Sequence, residues 1–261
     1  MATLLLKLIL TPSLLGAATL AARRWGPSVG GWLVGLPLTS GPLLFFLALD
    51  HGRAFAAATS TGSIAGAAAE AGFCLAYAAV GRRASWLPAL VAGSLGYVAA
   101  SVAIQPALML PLAGELMVVG LVLGLSLRLI PASRLPHGGA EPPAWDLPAR
   151  MIVGTAIVIV LAAAAPALGP HATGIIAAFP VYAAVLAGFT HHLEGPDQAM
   201  DVLRGLLVGL FAFSGFFAVI DLALLPFGIA AAFGAAVAAA LLIQGATFSA
   251  RWVGPRAPQP S

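Results

Sequence analysis

Charged residues are scarce in this chain: lysine, arginine, aspartate and glutamate together make up 8% of its 261 residues. A soluble domain carries about 25% charged residues, so the composition excludes a soluble enzyme or a soluble binding module. Hydrophobic residues make up 61% of the chain, and the mean hydropathy is +1.01. Such values are typical of an integral membrane protein.

Cysteine and the common catalytic motifs are also nearly or wholly missing. The single cysteine, Cys74, excludes an intrachain disulfide, and we expect it to be a small packing residue. No GxSxG, HExxH, Walker or Rossmann pattern occurs in a fitting context. We therefore expect no enzymatic activity, no cofactor, and no catalytic or metal site. The basic residues are not interleaved with aromatic ones, which excludes a nucleic-acid partner.

The apolar segments are long enough to cross a hydrocarbon core of about 30 Å at about 1.5 Å per residue. They predict an all-α polytopic membrane protein with nine spans. The predicted spans are Leu8–Ala22, Ser28–Leu49, Ala57–Val80, Trp86–Ile104, Ala107–Leu127, Met151–Leu168, Thr173–Thr190, Val202–Leu222 and Phe227–Phe248.

The basic residues predict the orientation of these spans. If nine spans alternate, all of the twelve lysines and arginines except Lys7 and Arg53 fall on one side of the membrane. Basic residues collect on the cytoplasmic side, so this asymmetry places the N-terminus outside and the C-terminus in the cytoplasm.

Two stretches of the chain resemble each other without a gap, and we call the constant shift between them the repeat offset. The first runs from Gly26 to Pro42 and the second from Gly169 to Val185. The repeat offset superposes Gly26 on Gly169, Pro27 on Pro170, Gly31 on Gly174, Pro37 on Pro180, Gly52 on Gly195, Gly62 on Gly205 and Gly66 on Gly209. Glycine and proline set the backbone conformation, so their recurrence indicates an internal duplication.

The duplication predicts an inverted-topology repeat. The two copies begin five spans apart, an odd number, so they enter the membrane in opposite directions. Spans one to four then form one copy, spans six to nine the other, and span five links them, a plan shared by many secondary transporters. The predicted units are residues 1–105, the linking helix 106–130, a cytoplasmic proline-rich linker 131–149, the second repeat 150–250 and a cytoplasmic tail 251–261.

Spans two and seven are predicted to be discontinuous. Glycines and prolines interrupt span two between Leu36 and Pro42, and a Phe-Pro-Val-Tyr run holds the matching place in span seven. A helix beginning after the first break would turn free N–H groups towards an anionic substrate group. A plain proline kink is the alternative. The predicted substrate-binding residues are Pro37, Thr39, Ser40, Gly41, Pro42, Phe179, Pro180 and Tyr182.

Several ionisable residues are candidates for coupling and gating. Glu70 and Glu115 fall near the middle of their predicted spans, where a carboxyl group is costly, so we predict that they couple transport to protons. The alternative is a protonated carboxyl that hydrogen-bonds a neighbouring helix. The predicted gating residues lie at span ends and are Asp50, His51, His191, His192, Asp201, Arg204 and Asp221. Their spacing fits no standard zinc motif. The pairs Gly62/Gly66 and Gly205/Gly209 predict close helix packing.

The second repeat resembles the GlpM family of small bacterial inner-membrane proteins. The features that match are Gly174, the Phe179-Pro180 pair, His191 or His192, Gly195 and Arg204. The first repeat matches only through Gly31, Pro37 and Gly52, and it has Thr61 in place of the arginine. The resemblance implies a bacterial inner membrane and a four-span unit, and it implies no substrate.

These observations predict a small secondary-type transporter, an exporter or a flippase, with its site between the two breaks and with proton coupling. The alternative is a non-transporting membrane subunit or scaffold of a larger envelope complex. A membrane enzyme acting on lipid is a weaker third reading, because no nucleophile or metal cluster converges. The expected partners are the lipid bilayer and a small-molecule or lipid-linked substrate, with a homodimer left open.

Overall fold

The computed structural model describes residues 2–133, 142–164 and 179–253 of the chain. Regular structure within these ranges is helical throughout, without a strand. A short 3-10 helix, Gln105–Met109, precedes the sixth α-helix. The α-helices are α1 (Ala2–Trp25), α2 (Pro27–Val34), α3 (Ser40–His51), α4 (Arg53–Gly81), α5 (Trp86–Ala103), α6 (Leu112–Leu129), α7 (Asp146–Ala164), α8 (Val181–Glu194), α9 (Pro196–Phe227) and α10 (Ile229–Val253).

Five segments in the described part of the chain are long and apolar enough to cross a membrane. They make this an all-helical, multi-pass membrane protein. The segments are Arg53–Gly81, Trp86–Ala107, Leu112–Leu129, Pro196–Phe227 and Ile229–Thr247. The other four predicted spans overlap α1, α2 together with α3, α7, and α8. The number nine stays a prediction.

Some sequence-based predictions fall on residues outside the described ranges. These are the first part of span seven with Gly169, Pro170 and Gly174, the end of span six, the centre of the proline-rich linker, and the last part of the C-terminal tail.

Helix α9 lies at the centre of the bundle and packs against α2, α4, α6, α8 and α10. Its 32 residues make it the longest helix in the described part of the chain. The largest side chains between α9 and its neighbours, including Phe73, Tyr77, Leu203 and Phe217, are fully buried. Burial of such side chains contributes about 1.5–3 kcal/mol each, so these contacts stabilise the packing of the helices around α9.

Hydrogen bonds between helix ends fix the relative directions of α4, α6 and α9. Arg53, at the start of α4, donates to the carbonyl of Leu225 near the end of α9, with an N–O distance of 3.2 Å. Arg204, near the start of α9, donates to the carbonyl of Leu127 near the end of α6. Helices α4 and α6 therefore both run antiparallel to α9.

Helices α2 and α9 cross with their backbones in direct contact. A Cβ atom on Gly31 would collide with the carbonyl group of Val202, and one on Gly205 would collide with that of Ser28. Glycine is needed at both positions because only a residue without a side chain allows this approach. The predicted packing role of Gly205 is confirmed, and its partner is α2.

The matching prediction for Gly62 and Gly66 is wrong within the described residues. A Cβ atom at either glycine would meet no atom within 4 Å. The same spacing thus gives a tight crossing at Gly205 and Gly209, which meet backbone atoms of α2, and none at Gly62 and Gly66, which meet no neighbouring helix.

Local structure recurs at the repeat offset seen in the sequence. Helix α4 starts directly after Gly52, and α9 starts directly after Gly195, the residue that the offset superposes on Gly52. Both glycines have positive φ angles, 87° and 106°, which other residues rarely adopt. Glycine lets the chain turn from one helix into the next without an intervening loop at both places.

A tertiary contact recurs at the same offset. Gly72 of α4 packs directly against Ala100 of α5, and Gly215 of α9 packs directly against Ile243 of α10. The repeat offset superposes Gly72 on Gly215 and Ala100 on Ile243. The α4–α5 and α9–α10 pairs therefore share one packing position.

Candidate functional site

The first predicted break interrupts the chain between α2 and α3. Helix α2 ends at Val34 and α3 begins at Ser40, so the interruption comes earlier than the predicted interval from Leu36 to Pro42. Pro42 lies inside the first turn of α3, where its missing N–H would have had no intrahelical acceptor. Thr39 holds the N-cap position, but its hydroxyl makes no capping hydrogen bond.

The N–H groups at the start of α3 are mostly used within the break. Gly41 donates to the carbonyl of Pro37 at 2.9 Å, and Leu43 donates to that of Thr39 at 3.1 Å. Pro42 has no N–H to donate. An anionic group would therefore find few free donors at this helix start, contrary to the prediction from sequence.

The second break precedes α8. Pro180 is buried at the N-cap position of α8, and the N–H of Val181 donates to the carbonyl of Phe179 at 2.8 Å. This short turn ends at the first residue of the helix, and the interruption of a longer helix at this point stays a prediction. The chain before Phe179 lies outside the described residues.

The phenol of Tyr182, near the start of α8, lies close to the first break. Its oxygen lies 3.1 Å from the hydroxyl oxygen of Thr11 on α1. The Thr39 side chain of the first break is close to the same phenol. Three polar groups, from α1, the first break and α8, therefore lie close together.

Aromatic side chains connect the second predicted break with the surroundings of Glu70. The ring of Phe179 packs edge-on against Tyr97, with 5.5 Å between ring centroids, and against Phe73 at 6.1 Å. The carboxyl group of Glu70, partly exposed on α4, is close enough for its charge to act on Tyr97 and on Cys74. The structure therefore brings Glu70 near the predicted substrate-binding residues.

Glu115 is not near the middle of its helix, and the prediction of its depth is wrong. Pro111 lacks an N–H and precedes the helix, so α6 begins at Leu112 and Glu115 falls in its first turn. The residue is completely buried, and neither of its carboxylate oxygens has a hydrogen-bond partner within the described residues.

The predicted gating residues separate into two groups at opposite ends of the bundle. At one end, the ring nitrogen Nδ1 of the buried His191 lies 3.0 Å from the phenol oxygen of Tyr77. His192 is exposed, and its ring contacts that of Trp86. The two adjacent histidines therefore have different environments, one within the helix packing and one at the surface.

Asp201 and Arg204 form hydrogen bonds with the backbone at and just after the end of α6. Asp201 accepts the N–H of Ser133 at 3.0 Å, and Arg204 donates to the carbonyls of Leu127 and Ile130. The last carbonyls of a helix have no intrahelical donor, so these bonds supply one. This geometry gives the two residues a structural task that the sequence did not indicate.

Asp50, His51 and Asp221 lie at the other end. Asp50 and His51 are exposed at the end of α3, and the His51 ring contacts Phe55. Asp221 accepts a hydrogen bond of 3.3 Å from the hydroxyl of Thr61 on α4. Asp221 therefore faces a neighbouring helix, unlike the two residues on α3.

A buried ion-pair network was missed in the sequence. Asp146 accepts from Arg150 at 2.7 Å and from Arg23 of α1 at 2.9 Å, and both Asp146 and Arg150 are buried. Arg150 also donates to the hydroxyl of Thr190 and the carbonyl of Leu186 on α8. The four-residue spacing of an acid and a base before an apolar run was the available signal.

Within the described residues, no group of three or more histidine, cysteine, aspartate or glutamate side chains could hold a metal ion. Comparison with protein families, with characterised proteins and with solved structures finds no match. The resemblance to the GlpM family therefore stays a prediction.

Proposed function

We propose that this chain is a secondary-type transporter of the bacterial inner membrane, a small-molecule exporter or a flippase for a lipid-linked substrate. The observation that carries the proposal is the polar contact of Tyr182, two residues after Pro180, with Thr11 of α1, close to Thr39 of the first break. Irregular backbone at membrane depth persists only where it is packed in protein or lines a water-filled cavity. Paired breaks of this kind form the substrate sites of many secondary transporters.

The recurrence of the fold at the repeat offset supports an inverted repeat within this transporter. Helix α4 packs against α9, and α1 packs against α7; the members of each pair hold equivalent positions in the two copies. Such self-pairing is expected around a pseudo-two-fold axis. The proposal has nine spans, with spans one to four and six to nine as the two copies, and a GlpM-like unit in the second.

The arginine distribution supports the orientation of the proposal, with the N-terminus outside and the C-terminus cytoplasmic. The network of Arg23, Asp146 and Arg150 lies at the inner side in this arrangement. The contact between Arg53 and Leu225 then lies at the outer side.

Glu70 is the proposed proton carrier. It reaches the second break through Tyr97 and Phe179, whereas Glu115 lies in the first turn of α6, away from both breaks. A carboxyl group in a membrane span is costly and is usually retained for a function. Its titratable neighbours are Cys74 on its own helix and Tyr97 on α5.

Alternating access tests the transporter without knowledge of its substrate. A single cysteine is placed at Thr39 in a Cys74→Ser background and treated with a membrane-impermeant thiol reagent, once on spheroplasts and once on inside-out vesicles. We expect labelling from both sides, because a transporter exposes its site to each side in turn. A matched control is Ala187→Cys, which is fully buried in α8 and should resist labelling. Protection of Thr39→Cys from both sides would favour the non-transporting scaffold.

The same assay tests Glu70. The labelling rate of Thr39→Cys is expected to change with pH, and Glu70→Gln should remove that change because it cannot lose a proton. Asp197→Asn is the control, since Asp197 is exposed in the first turn of α9 and should leave the pH dependence intact. An unchanged pH dependence in Glu70→Gln would refute the proton-carrier role.

A further inference from the structure

We propose that Glu115, Asp221 and Thr61 form a binding site for a hard monovalent cation, Na⁺, where α4, α6 and α9 meet near the outer side of the bundle. This inference goes beyond the proposed transport of a substrate, because binding of the ion is a property of the protein alone and is measured without substrate.

The first observation is the environment of Glu115. Its side chain is completely buried, and both carboxylate oxygens lack a hydrogen-bond partner among the described residues. The backbone of Ala65 on α4 approaches the carboxyl group without reaching the geometry of a hydrogen bond. A buried carboxylate without a partner is strongly destabilising, so such groups normally pair or coordinate an ion. The positive partial charge at the start of α6 favours the carboxylate but supplies no bond to these oxygens.

The second observation is the group that faces Glu115 from α9. The carboxyl group of Asp221 is close enough for the two charges to repel each other. Asp221 is itself held by the Thr61 hydroxyl, which donates to Oδ1 at 3.3 Å and leaves Oδ2 available. The hydroxyl oxygen of Thr61 keeps its lone pairs, so three side chains from three helices offer oxygen ligands.

No basic side chain neutralises this pair among the described residues. Arg53 is the basic residue at the start of α4, and its guanidinium donates to the carbonyl of Leu225. The other charged group within α4 is Glu70, five residues after Ala65, and it is an acid. The 3-10 helix before α6 contains no charged residue. Two acidic groups thus interact without an ion-pair partner among the described residues, and the Thr61 hydroxyl bonds one of them.

The chemistry of these ligands selects the ion. Carboxylate and hydroxyl oxygens are hard ligands, which suit alkali and alkaline-earth cations more than transition metals. Two carboxylates and one hydroxyl offer at most five oxygens, fewer than the six to eight that Ca²⁺ takes, and Mg²⁺ demands a near-ideal octahedron. One Na⁺ together with one proton balances the charge of the two carboxyl groups.

The experiment measures the thermal unfolding of the purified full-length protein in detergent at increasing concentrations of NaCl. Choline chloride replaces the missing NaCl, so the ionic strength stays constant. An ion that binds only the folded state raises the Tm, by about 5 °C or more at a concentration 100-fold above the Kd. We expect a saturable rise with Na⁺ in the wild type, a smaller one in Thr61→Val, and none in Glu115→Gln or Asp221→Asn. Asp197→Asn, which removes an exposed acid in the first turn of α9, should keep the full rise.

Direct binding of radioactive ²²Na⁺ to the wild-type protein covers the case in which the acidic variants do not fold. Saturable binding that unlabelled Na⁺ displaces, and that millimolar Ca²⁺ leaves in place, is the expected result. The inference fails if the wild type shows neither a saturable Tm rise nor ²²Na⁺ binding. It also fails if Glu115→Gln and Asp221→Asn fold and keep the rise, or if Ca²⁺ displaces Na⁺ and raises the Tm itself. If Thr39→Cys shows no alternating access but Na⁺ still binds, the transporter proposal is wrong and the Na⁺ site is unaffected.

Discussion

Gly35 and Gly209 lie so close that a Cβ atom on Gly35 would be 2.7 Å from the Cα atom of Gly209. Gly35 directly follows α2, at the edge of the first break, and Gly209 lies in the middle of α9. The break therefore starts where the chain is held against the central helix, backbone to backbone. The contact positions the first break in the bundle.

The first prediction concerns this contact. In Gly35→Ala the new methyl group meets backbone atoms of Gly209 and Leu206, which cannot rotate away as a side chain would. Overpacking of this kind costs about 1–3 kcal/mol, so we expect a lower Tm in detergent. Thermal unfolding measured by near-UV circular dichroism or by intrinsic fluorescence checks it.

Gly66→Ala is the matched control, because a Cβ atom there meets nothing within 4 Å. Alanine is favoured over glycine in a helix by about 1 kcal/mol, so this variant should unfold at the same temperature as the wild type or higher. If Gly35→Ala were as stable as Gly66→Ala, the prediction that the Gly35–Gly209 contact excludes a side chain would be wrong.

The two glycine pairs show how far the sequence predicts this fold. The duplication and the apolar segments predict helices, and the prolines predict the interruption of span two, because both depend on local backbone chemistry. The difference between Gly62 and Gly205 could not be predicted. It depends on which helix lies opposite, and the spacing within one helix carries no information about its neighbour.

The candidate site, too, is predictable from sequence only where local backbone chemistry decides the structure. The residues at both breaks could be identified from Pro37 and Pro180, whereas the bond between Tyr182 and Thr11 joins positions 171 residues apart. Glu115 lies closer to the end of its helix than predicted, because the apolar residues on both sides of Pro111 predict one continuous span. Hydropathy averages over such a proline, but the helix must begin after it.

The second prediction concerns the buried network on α7. Arg150→Met leaves the buried carboxyl of Asp146 with Arg23 as its remaining partner, and it removes the donor to Thr190. Removing the sole partner of a buried charge costs about 3–5 kcal/mol. Because Arg23 still pairs with Asp146, we expect a loss at the lower end of this range. We expect a large drop in Tm and in the yield of folded protein.

Arg83→Met is the control for Arg150→Met, since Arg83 is exposed in the turn between α4 and α5 and should change the stability by less than about 0.5 kcal/mol. Combining Arg150→Met with Asp146→Asn should restore part of the loss, as expected for coupled residues. Equal losses for Arg83→Met and Arg150→Met would show that the network contributes nothing specific.

The third prediction is an energetic coupling between Tyr182 and Thr11. Tyr182→Phe removes the phenol oxygen, and Thr11→Val removes the opposing hydroxyl without a large change of volume. Each variant should cost about 1 kcal/mol, and the double variant should cost less than the sum, because one hydrogen bond is lost only once. Urea or thermal unfolding of the four proteins measures the coupling.

Ser94 provides the reference for this cycle. Its hydroxyl bonds the carbonyl of Leu90 within α5, away from Tyr182. The pair Tyr182→Phe and Ser94→Ala should be additive within about 0.3–0.5 kcal/mol. A cycle of Tyr182 with Thr11 that is just as additive would mean that the two hydroxyls do not interact.

The last prediction concerns topology and uses single cysteines in the Cys74→Ser background. We expect His51→Cys and Phe227→Cys to react with an impermeant maleimide on spheroplasts, and Arg83→Cys and Pro142→Cys to react only after permeabilisation. The arginine asymmetry predicts which side is outside.

The structure adds a constraint that does not depend on that choice of side. Because Arg53 bonds Leu225, the turn between α3 and α4 lies beside the end of α9, so His51→Cys and Phe227→Cys must label alike. If both pairs of sites label with reversed sidedness, the packing stands and only the orientation derived from the arginines is wrong. If His51→Cys and Phe227→Cys label from opposite sides, α4 and α9 cannot both cross the membrane in the antiparallel arrangement, and the nine-span topology fails with it.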